Sequence, residues 1–472
     1  MPLPPVARLE LAAAALPHDV IPARAQMAST LGFHIILACF GIAFPTIILI
    51  VHYIGLRRND PAALLLARRW SKVLAVLVAV GAVSGTVLSF EMGLLWPGLM
   101  RVYGSVIGLP FAFEGIFFLL EALFTAVYLF GWDRLPKWAH FWSGVVVALS
   151  GLLGALAVVA ANSWMNQPGG FTMRHGKVTS VNTLQVIFNR AATYEIPHME
   201  LAAYIVAAFG VAGVYGFAML RRPELRTSRY HRLGFLVPTV VGSLAIPFQI
   251  FVGDYAARAL ARQQPIKFAA MEYVTHTARG VTEWIGGVYY HGHIYAGLNL
   301  PYVDSILVGF NPHQKVIGWD SVPASQRPPL PSLIHLSFDA MVGIAFAMLA
   351  TGAWLALAWW RHHDFPANRL FLWASVLWAP AGVIALECGW IVTEVGRQPW
   401  VVYKRMTTAQ AATPVPHVAW TLAAIVALYL VLTVATVAVL AAMARRWRRG
   451  EPSSGEEDLP YGPRSATTAP VP

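Results

Sequence analysis

Gly108-Leu-Pro-Phe-Ala-Phe-Glu114-Gly-Ile-Phe-Phe-Leu-Leu-Glu121 carries two carboxylates in an otherwise apolar run that stays uncharged to Gly131. About 20 apolar residues make a helix long enough to cross a hydrocarbon core roughly 30 Å thick, so 109–131 reads as a membrane span. Seven residues turn a helix by about 700°, which sets Glu114 and Glu121 on one side, roughly 10 Å apart in depth. An ionisable group in the hydrocarbon costs roughly 2.5–3.5 kcal/mol on insertion scales, so such groups are paired, hydrated or bound to something. Spacing alone leaves two readings open: a proton path to a buried site, or two structural carboxylates bonded to neighbouring helices.

The rest of the chain has the same character. Apolar residues make up 57% of its 472 positions and charged residues 12%, the composition of an all-α, polytopic membrane protein. Further apolar runs lie near 28–50, 72–92, 141–162, 198–220, 233–252, 332–359, 368–391 and 418–443, which makes nine spans. Spans one to six fall within 28–252 and spans seven to nine within 332–443. Residues 1–27 read as an N-terminal interfacial arm, because the stretch Leu9–Leu16 is short and has no basic head and cleavage site of a secretory signal. The connection 253–331 is long enough to be functional. The tail 444–472 turns Pro-, Ser- and Glu-rich and reads as disordered.

The net charge of +11 belongs to membrane topology, and no basic stripe on a soluble domain points to nucleic acid. Cys39 and Cys388 lie in apolar segments, with no CxxC or CxxCH pattern for zinc or covalently attached haem. There is no internal repeat of the kind that builds inverted-repeat transporters.

Basic residues set the expected orientation. Arg57, Arg58, Arg68, Arg69 and Lys72 flank the first connection, Arg221, Arg222, Arg226, Arg229 and Arg232 crowd the fifth, and Arg445, Arg446, Arg448 and Arg449 follow the last span. The positive-inside rule then puts the N-terminus outside, the C-terminus in the cytoplasm and 253–331 outside. In that orientation His34, Glu91, Glu114, His198, Met341 and Glu387 all fall in the outer half of the membrane. Accidental polar residues would scatter through both leaflets, so one shared outer site, or a string of neighbouring ones, is expected.

Taken singly, these residues keep alternatives open. His34, in Leu31-Gly-Phe-His-Ile-Ile-Leu, has no charged neighbour within a turn; it is either a hydrogen-bonded structural histidine or a haem ligand. Met341 is one of 13 methionines and alone reads as packing. With His198 on another helix it would suit a six-coordinate electron-transfer haem. The seven-residue spacing recurs at Glu387 and Glu394, followed by Arg397, which can pair with Glu394. Lys267 and Glu272 are rotated by about 140° on a helix and need not pair; taken by themselves they read as a solvated amphipathic segment. His291-Gly-His293 reads as loop.

At these residues the chain resembles subunit I of the cytochrome bd family of quinol oxidases, across essentially all nine spans. The most specific matches are Gly108–Glu121, Gly131-Trp-Asp-Arg-Leu135, Asn162-Ser-Trp-Met-Asn-Gln-Pro168 and Glu387–Trp400 with its Gly-Arg-Gln-Pro-Trp. The resemblance implies His198 and Met341 as axial ligands of a low-spin haem b. It implies His34 and Glu387 as ligands in two neighbouring high-spin sites, one haem b and one haem d, with Arg397 among the cofactor-binding residues. Glu114 corresponds to a carboxylate at the oxygen-reducing centre and Glu121 to its partner toward the proton route. Lys267 and Glu272 correspond to quinol-binding residues of the outer loop, the Q-loop.

That loop is short here, as in the cyanide-insensitive branch, where a third haem b can replace haem d. The implied partners are a membrane subunit II and a small single-span accessory subunit, in the bacterial cytoplasmic membrane, with quinol and O2 as substrates. Two other classes use similar residues: a haem b anchor for a dehydrogenase, and a cofactor-free proton-coupled transporter.

Overall fold

The computed structural model describes residues 20–449 and 460–461. Among them are nine helices long and apolar enough to cross a membrane. They are α1 Val20–Arg58, α2 Pro61–Leu95, α3 Pro97–Phe130, α4 Lys137–Asn166, α5 Ala192–Arg221, α6 Arg229–Gln263, α7 Pro331–His362, α8 Arg369–Arg397 and α9 Val418–Arg449. Their boundaries follow local chemistry. Asp60 caps α2, its carboxylate accepting from the Ala62 and Ala63 amides at 3.0 and 3.2 Å, with Pro61 in the first turn, where its missing N–H costs nothing. Asn368 caps α8 through the Phe371 amide at 2.9 Å. Pro97 and Pro331 open α3 and α7 in the same way.

The helices outrun the apolar runs, because a helix stays helical past the hydrocarbon wherever its flanking residues permit. Three sequence boundaries shift accordingly. Helix α1 takes in 20–27, which had read as arm; α6 continues to Gln263, inside the expected loop; and α9 includes 444–449, the start of the expected tail. Residues 1–19, 450–459 and 462–472, which hold most of the expected arm and tail, lie outside the described residues. Tyr461 departs from a disordered tail. Its ring stacks on His52 at 6.1 Å and lies 5.8 Å from Trp132, in an aromatic cage at the end of the bundle where α1 and α3 finish.

The all-α expectation holds for the bundle, while the connections add short antiparallel strand pairs. These are 171–174 with 177–181, 278–279 with 315–316, 283–285 with 298–300, 288–290 with 293–295, and 400–402 with 406–407. They follow α4, α6 and α8, so they gather at one end of the bundle.

Helices α1 and α5 run through the middle: α1 packs on α2, α4, α5 and α9, and α5 on α4, α6 and α8. Helices in lipid gain little from burying apolar surface and associate through close van der Waals fit at small residues. A Cβ on Gly151 of α4 would lie 2.9 Å from the Gly41 carbonyl oxygen of α1, and one on Gly213 of α5 would lie 2.9 Å from Cβ of Ala379 on α8. The outer faces stay apolar and exposed, as at Leu119 and Leu123 of α3 and Val431 and Val434 of α9.

Candidate functional site

Each candidate metal-ligating side chain lies against a glycine of a neighbouring helix. A Cβ on Gly32 would sit 3.3 Å from Glu387 Oε2, on Gly85 3.0 Å from His34 Cε1, on Gly253 3.4 Å from His198 Cε1, and on Gly389 3.2 Å from Met341 Sδ. These contacts also set depths. Met341 lies level with Gly389, two residues from Glu387, and Glu387 lies level with Gly32, two residues from His34. On the other side of the bundle Gly352 of α7 faces Ser243 of α6. Ten residues along both antiparallel helices toward the end that carries the strand pairs, about 15 Å, come Val342 and Gly253, which places His198 level with Met341.

The tautomer of His34 is set by its neighbour. The Ser84 hydroxyl has acceptors in the Gly81 and Val80 carbonyls at 3.0 and 3.3 Å, so its oxygen accepts from His34 Nδ1 at 2.9 Å. The other ring nitrogen, Nε2, then carries the lone pair. Glu387 Oε1 is buried without a partner. His198 has only long contacts, 3.2 and 3.3 Å, from the Gln249 amide. Glu91 is different: it accepts from the Gln26 amide at 2.8 Å, and Gln26 in turn accepts from Thr421 at 2.7 Å, which ties α1, α2 and α9 together.

The two carboxylates of α3 follow the depth expected from their spacing. A Cβ on Gly41 would lie 3.1 Å from Glu121 Oε1, and seven residues toward the strand-pair end on both helices Glu114 comes level with His34. Seven residues in the other direction the same face carries Tyr128, with the buried, unpartnered Thr125 hydroxyl between. Tyr128 belongs to a hydrogen-bonded ring that sequence reasoning missed. His140 Nε2 donates to the Tyr128 carbonyl at 2.7 Å, which leaves Nδ1 to accept from the Tyr461 hydroxyl. The Tyr461 oxygen accepts from His52 Nε2 at 3.2 Å, and His52 Nδ1 accepts from the Tyr128 hydroxyl at 2.9 Å. The signal was available in His52, a lone histidine in an apolar run, and in Tyr128, one more step of the seven-residue spacing.

At the opposite end the segment Pro265–Met271 is a short helix, and Ile266 through Met271 are all buried. A solvated amphipathic segment is therefore ruled out: the helix is wedged among α6, α7 and α8. As the 140° rotation requires, Lys267 and Glu272 enter different surroundings. Lys267 Nζ donates to Asn166 Oδ1 at 2.9 Å. Asn166 donates to Glu195 at 2.9 Å, Asn162 donates to Glu394 at 2.9 Å, and Arg397 Nη2 pairs with Glu394 at 2.5 Å. Burial, with Arg397 adding, pulls the Lys267 ammonium below its usual range against the opposing pull of Glu195 and Glu394. Arg397 Nε and Nη1 are buried without partners. A crevice lined by Lys267, Gln326, Arg397, Trp400 and Tyr403 opens beside them.

Glu272 faces carboxylates instead. Burial first, then Asp304, Glu283 and Asp339, push its pKa well above the carboxylate range. Asp304 is raised by burial and by Glu283, and Glu283 by burial and by Asp339. Among the described residues no group of three or more His, Cys, Asp or Glu side chains is arranged to hold a metal ion. His291 lies in a hairpin turn, as expected of loop, while His293 starts the second strand of that hairpin, paired with Tyr290.

Comparison with known proteins bears on this arrangement. The family model for cytochrome bd terminal oxidase subunit I matches residues 22–448. The chain belongs to that family. As a cytochrome bd subunit I it is 30% identical over 420 residues to a putative cytochrome bd menaquinol oxidase subunit I of Bacillus subtilis (strain 168), covering 88% of this chain and 94% of that protein. It is 27% identical over 458 residues to the cytochrome bd ubiquinol oxidase subunit 1 of the same organism, covering 94% and 96%. The bd oxidase structure from Geobacillus thermodenitrificans superposes with a TM-score of 0.84 at 33% identity, covering 92% of this chain and all of that one. A terminal oxidase subunit accounts for a layer of partly buried histidine, methionine and carboxylate side chains better than a transporter does.

Proposed function

We propose that this cytochrome bd subunit is the quinol-oxidising, oxygen-reducing subunit of a bacterial respiratory oxidase. The observation that carries this reading is the common level of His34, His198, Met341 and Glu387, each against a glycine. A bare Nε2 on His34 and an unpartnered oxygen on Glu387 are the donor set that haem iron takes, so the residues present fit the group. His198 and Met341 would hold a low-spin haem b. His34 and Glu387 would hold the two high-spin haems, one of type b and the other of type d or a third b. Arg397, with two buried unpartnered guanidinium nitrogens, would meet the carboxylate edge of a haem. When bound, haem supplies the iron for electron transfer and oxygen reduction.

The protein's own part is binding and proton handling. Lys267 and Glu272 bind ubiquinol or menaquinol in the outer Q-loop, which runs within 253–331. Glu114 holds a proton at the level of His34, and Glu121 feeds it from the ring of His52, Tyr128, His140 and Tyr461 at the cytoplasmic end. Protons are thus released outside and taken up inside, which builds a proton-motive force without a pump. The orientation, N-terminus outside and C-terminus inside the cytoplasmic membrane, rests on the arginine-rich connections. A subunit II completes the complex, with a small single-span accessory subunit beside it.

The test uses spheroplasts and inverted vesicles of a strain carrying the oxidase. Protease added to the outer face is expected to cut the 264–330 segment and stop quinol oxidation, while oxygen uptake driven by an artificial electron donor survives. Cleavage only in inverted vesicles would reverse the orientation and the direction of proton release.

A further inference from the structure

Glu272 does not stand alone in the outer loop. It ends the short helix 265–271 and is 3% exposed, with Oε2 unpartnered. Asp304, in the first turn of the helix Val303–Gly309, is fully buried and neither of its carboxyl oxygens has a partner. Glu283, in the strand Glu283–Ile285, is half-buried, and its Oε2 is also buried without a partner.

The surrounding polar groups are already committed. His335 is fully buried, with Nδ1 at 2.7 Å from the Met271 carbonyl and Nε2 at 3.1 Å from the Gly286 carbonyl. Asp339 accepts from the Gly286 amide at 2.5 Å and lies 3.3 Å from His335 Nε2. Tyr273 stacks on His335 and donates to the Gly287 carbonyl at 3.2 Å. On α6, Arg258 is taken by Asp254 and by the Leu307 carbonyl. His335 and its partners therefore pin the backbone on both sides of the cluster and leave Glu272, Asp304 and Glu283 with free carboxyl oxygens and, among the described residues, no cation paired with them. Buried carboxyls in that condition cost far more ionised than protonated.

We infer that Asp304 and Glu283 extend Glu272 into a proton-release path, receiving the protons that a bound quinol gives up and passing them to water at the outer surface. The inference rests on the reading of Glu272 as a quinol contact. Each quinol oxidised loses two electrons toward the helix bundle and two protons. Glu272, when ionised, takes a proton from the substrate hydroxyl and passes it on to Asp304 through intervening water, because no two of these carboxyls are hydrogen-bonded to each other. From there a proton moves to Glu283, which releases it at the half-exposed edge of the loop. Carboxyls buried without a paired cation are costly to ionise together, so the path holds protons to exchange, and no further reactant is needed.

The experiment compares Asp304→Asn and Glu283→Gln with the wild-type oxidase complex. Oxygen uptake is driven either by a short-chain quinol or by a proton-free donor such as ascorbate with tetramethylphenylenediamine. Both variants are expected to keep the haem spectrum, the donor-driven rate and the KM for quinol. Their kcat with quinol is expected to fall about tenfold or more, with a larger solvent isotope effect and an altered alkaline limb of the pH profile.

The sign of the stability change is also fixed. The folded state binds the Asp304 proton more tightly than the unfolded chain does. Wild-type stability therefore falls as pH rises from the ordinary carboxylate value toward the raised one. Asp304→Asn should then melt at or above wild type at pH 8 and lose that margin near pH 4. Wild-type quinol kinetics in both variants would overturn the inference. So would loss of donor-driven uptake in both, which marks the carboxyls as structural, or loss of wild-type quinol oxidation on chelation that calcium restores, which marks a cation site. Failure of the wild-type complex itself to oxidise quinol would instead remove the reading of Glu272 on which the path depends.

Discussion

His198→Ala is expected to abolish the low-spin haem signal and quinol-driven oxygen uptake. His198 lies level with Met341, on α5 against Gly253 of α6. Around it the structure offers the Gln249 amide, whose oxygen is unpartnered, and the space that Gly253 leaves. Alanine removes the only imidazole at that position, and neither Gln249 nor Met341 supplies a nitrogen ligand in its place. The loss of quinol oxidation should reach about a hundredfold or more, near 2.7 kcal/mol. The carbon-monoxide-sensitive signal, tied to His34 and Glu387, should remain. The measurement is a reduced-minus-oxidised spectrum of the purified variant beside its turnover. A normal low-spin spectrum would return His198 to a structural role.

His34→Ala and Glu387→Ala should show the complementary loss. Each should remove or weaken one high-spin haem and abolish oxygen reduction with either electron donor, while the low-spin haem stays reducible by quinol. A control separates ligand loss from collapse. Ser84→Ala removes only the acceptor that orients His34 Nδ1, and it should weaken the high-spin signal partially. A loss of that kind, through the neighbour of a ligand, is typical of tens-fold rather than complete effects. Full haem content and oxygen uptake in both His34→Ala and Glu387→Ala would show that these side chains only fill space between helices.

The nine spans were legible because lipid demands long apolar helices and little else in the chain competes with that signal. The candidate site residues stood out for the converse reason: His34, Glu114, Glu121 and Glu387 are polar groups in apolar spans, where they are costly. Family resemblance added roles, and rotation on a helix correctly separated Lys267 from Glu272.

What the sequence hid are pairings between distant positions. Asn162 reaches Glu394 and Lys267 reaches Asn166, and nothing local in either partner announces the other. The burial of 265–271 was hidden as well, because a seven-residue helix has too few turns to show which of its faces are covered. Asp304 looks like any loop aspartate, yet it is fully buried in the first turn of a short helix. Tyr461 gave no sign within a Pro-, Ser- and Glu-rich tail, since its partners lie on α1 and at the start of α4.

The central claim, that a shared layer of His34, His198, Met341 and Glu387 binds haems of two kinds, is tested most directly by one difference spectrum. The purified complex is reduced and recorded with and without carbon monoxide. The expected result is a low-spin haem b signal that carbon monoxide leaves unchanged, together with high-spin signals that it shifts. A spectrum with low-spin haem alone and no response to carbon monoxide, or with no haem at all, would contradict the account.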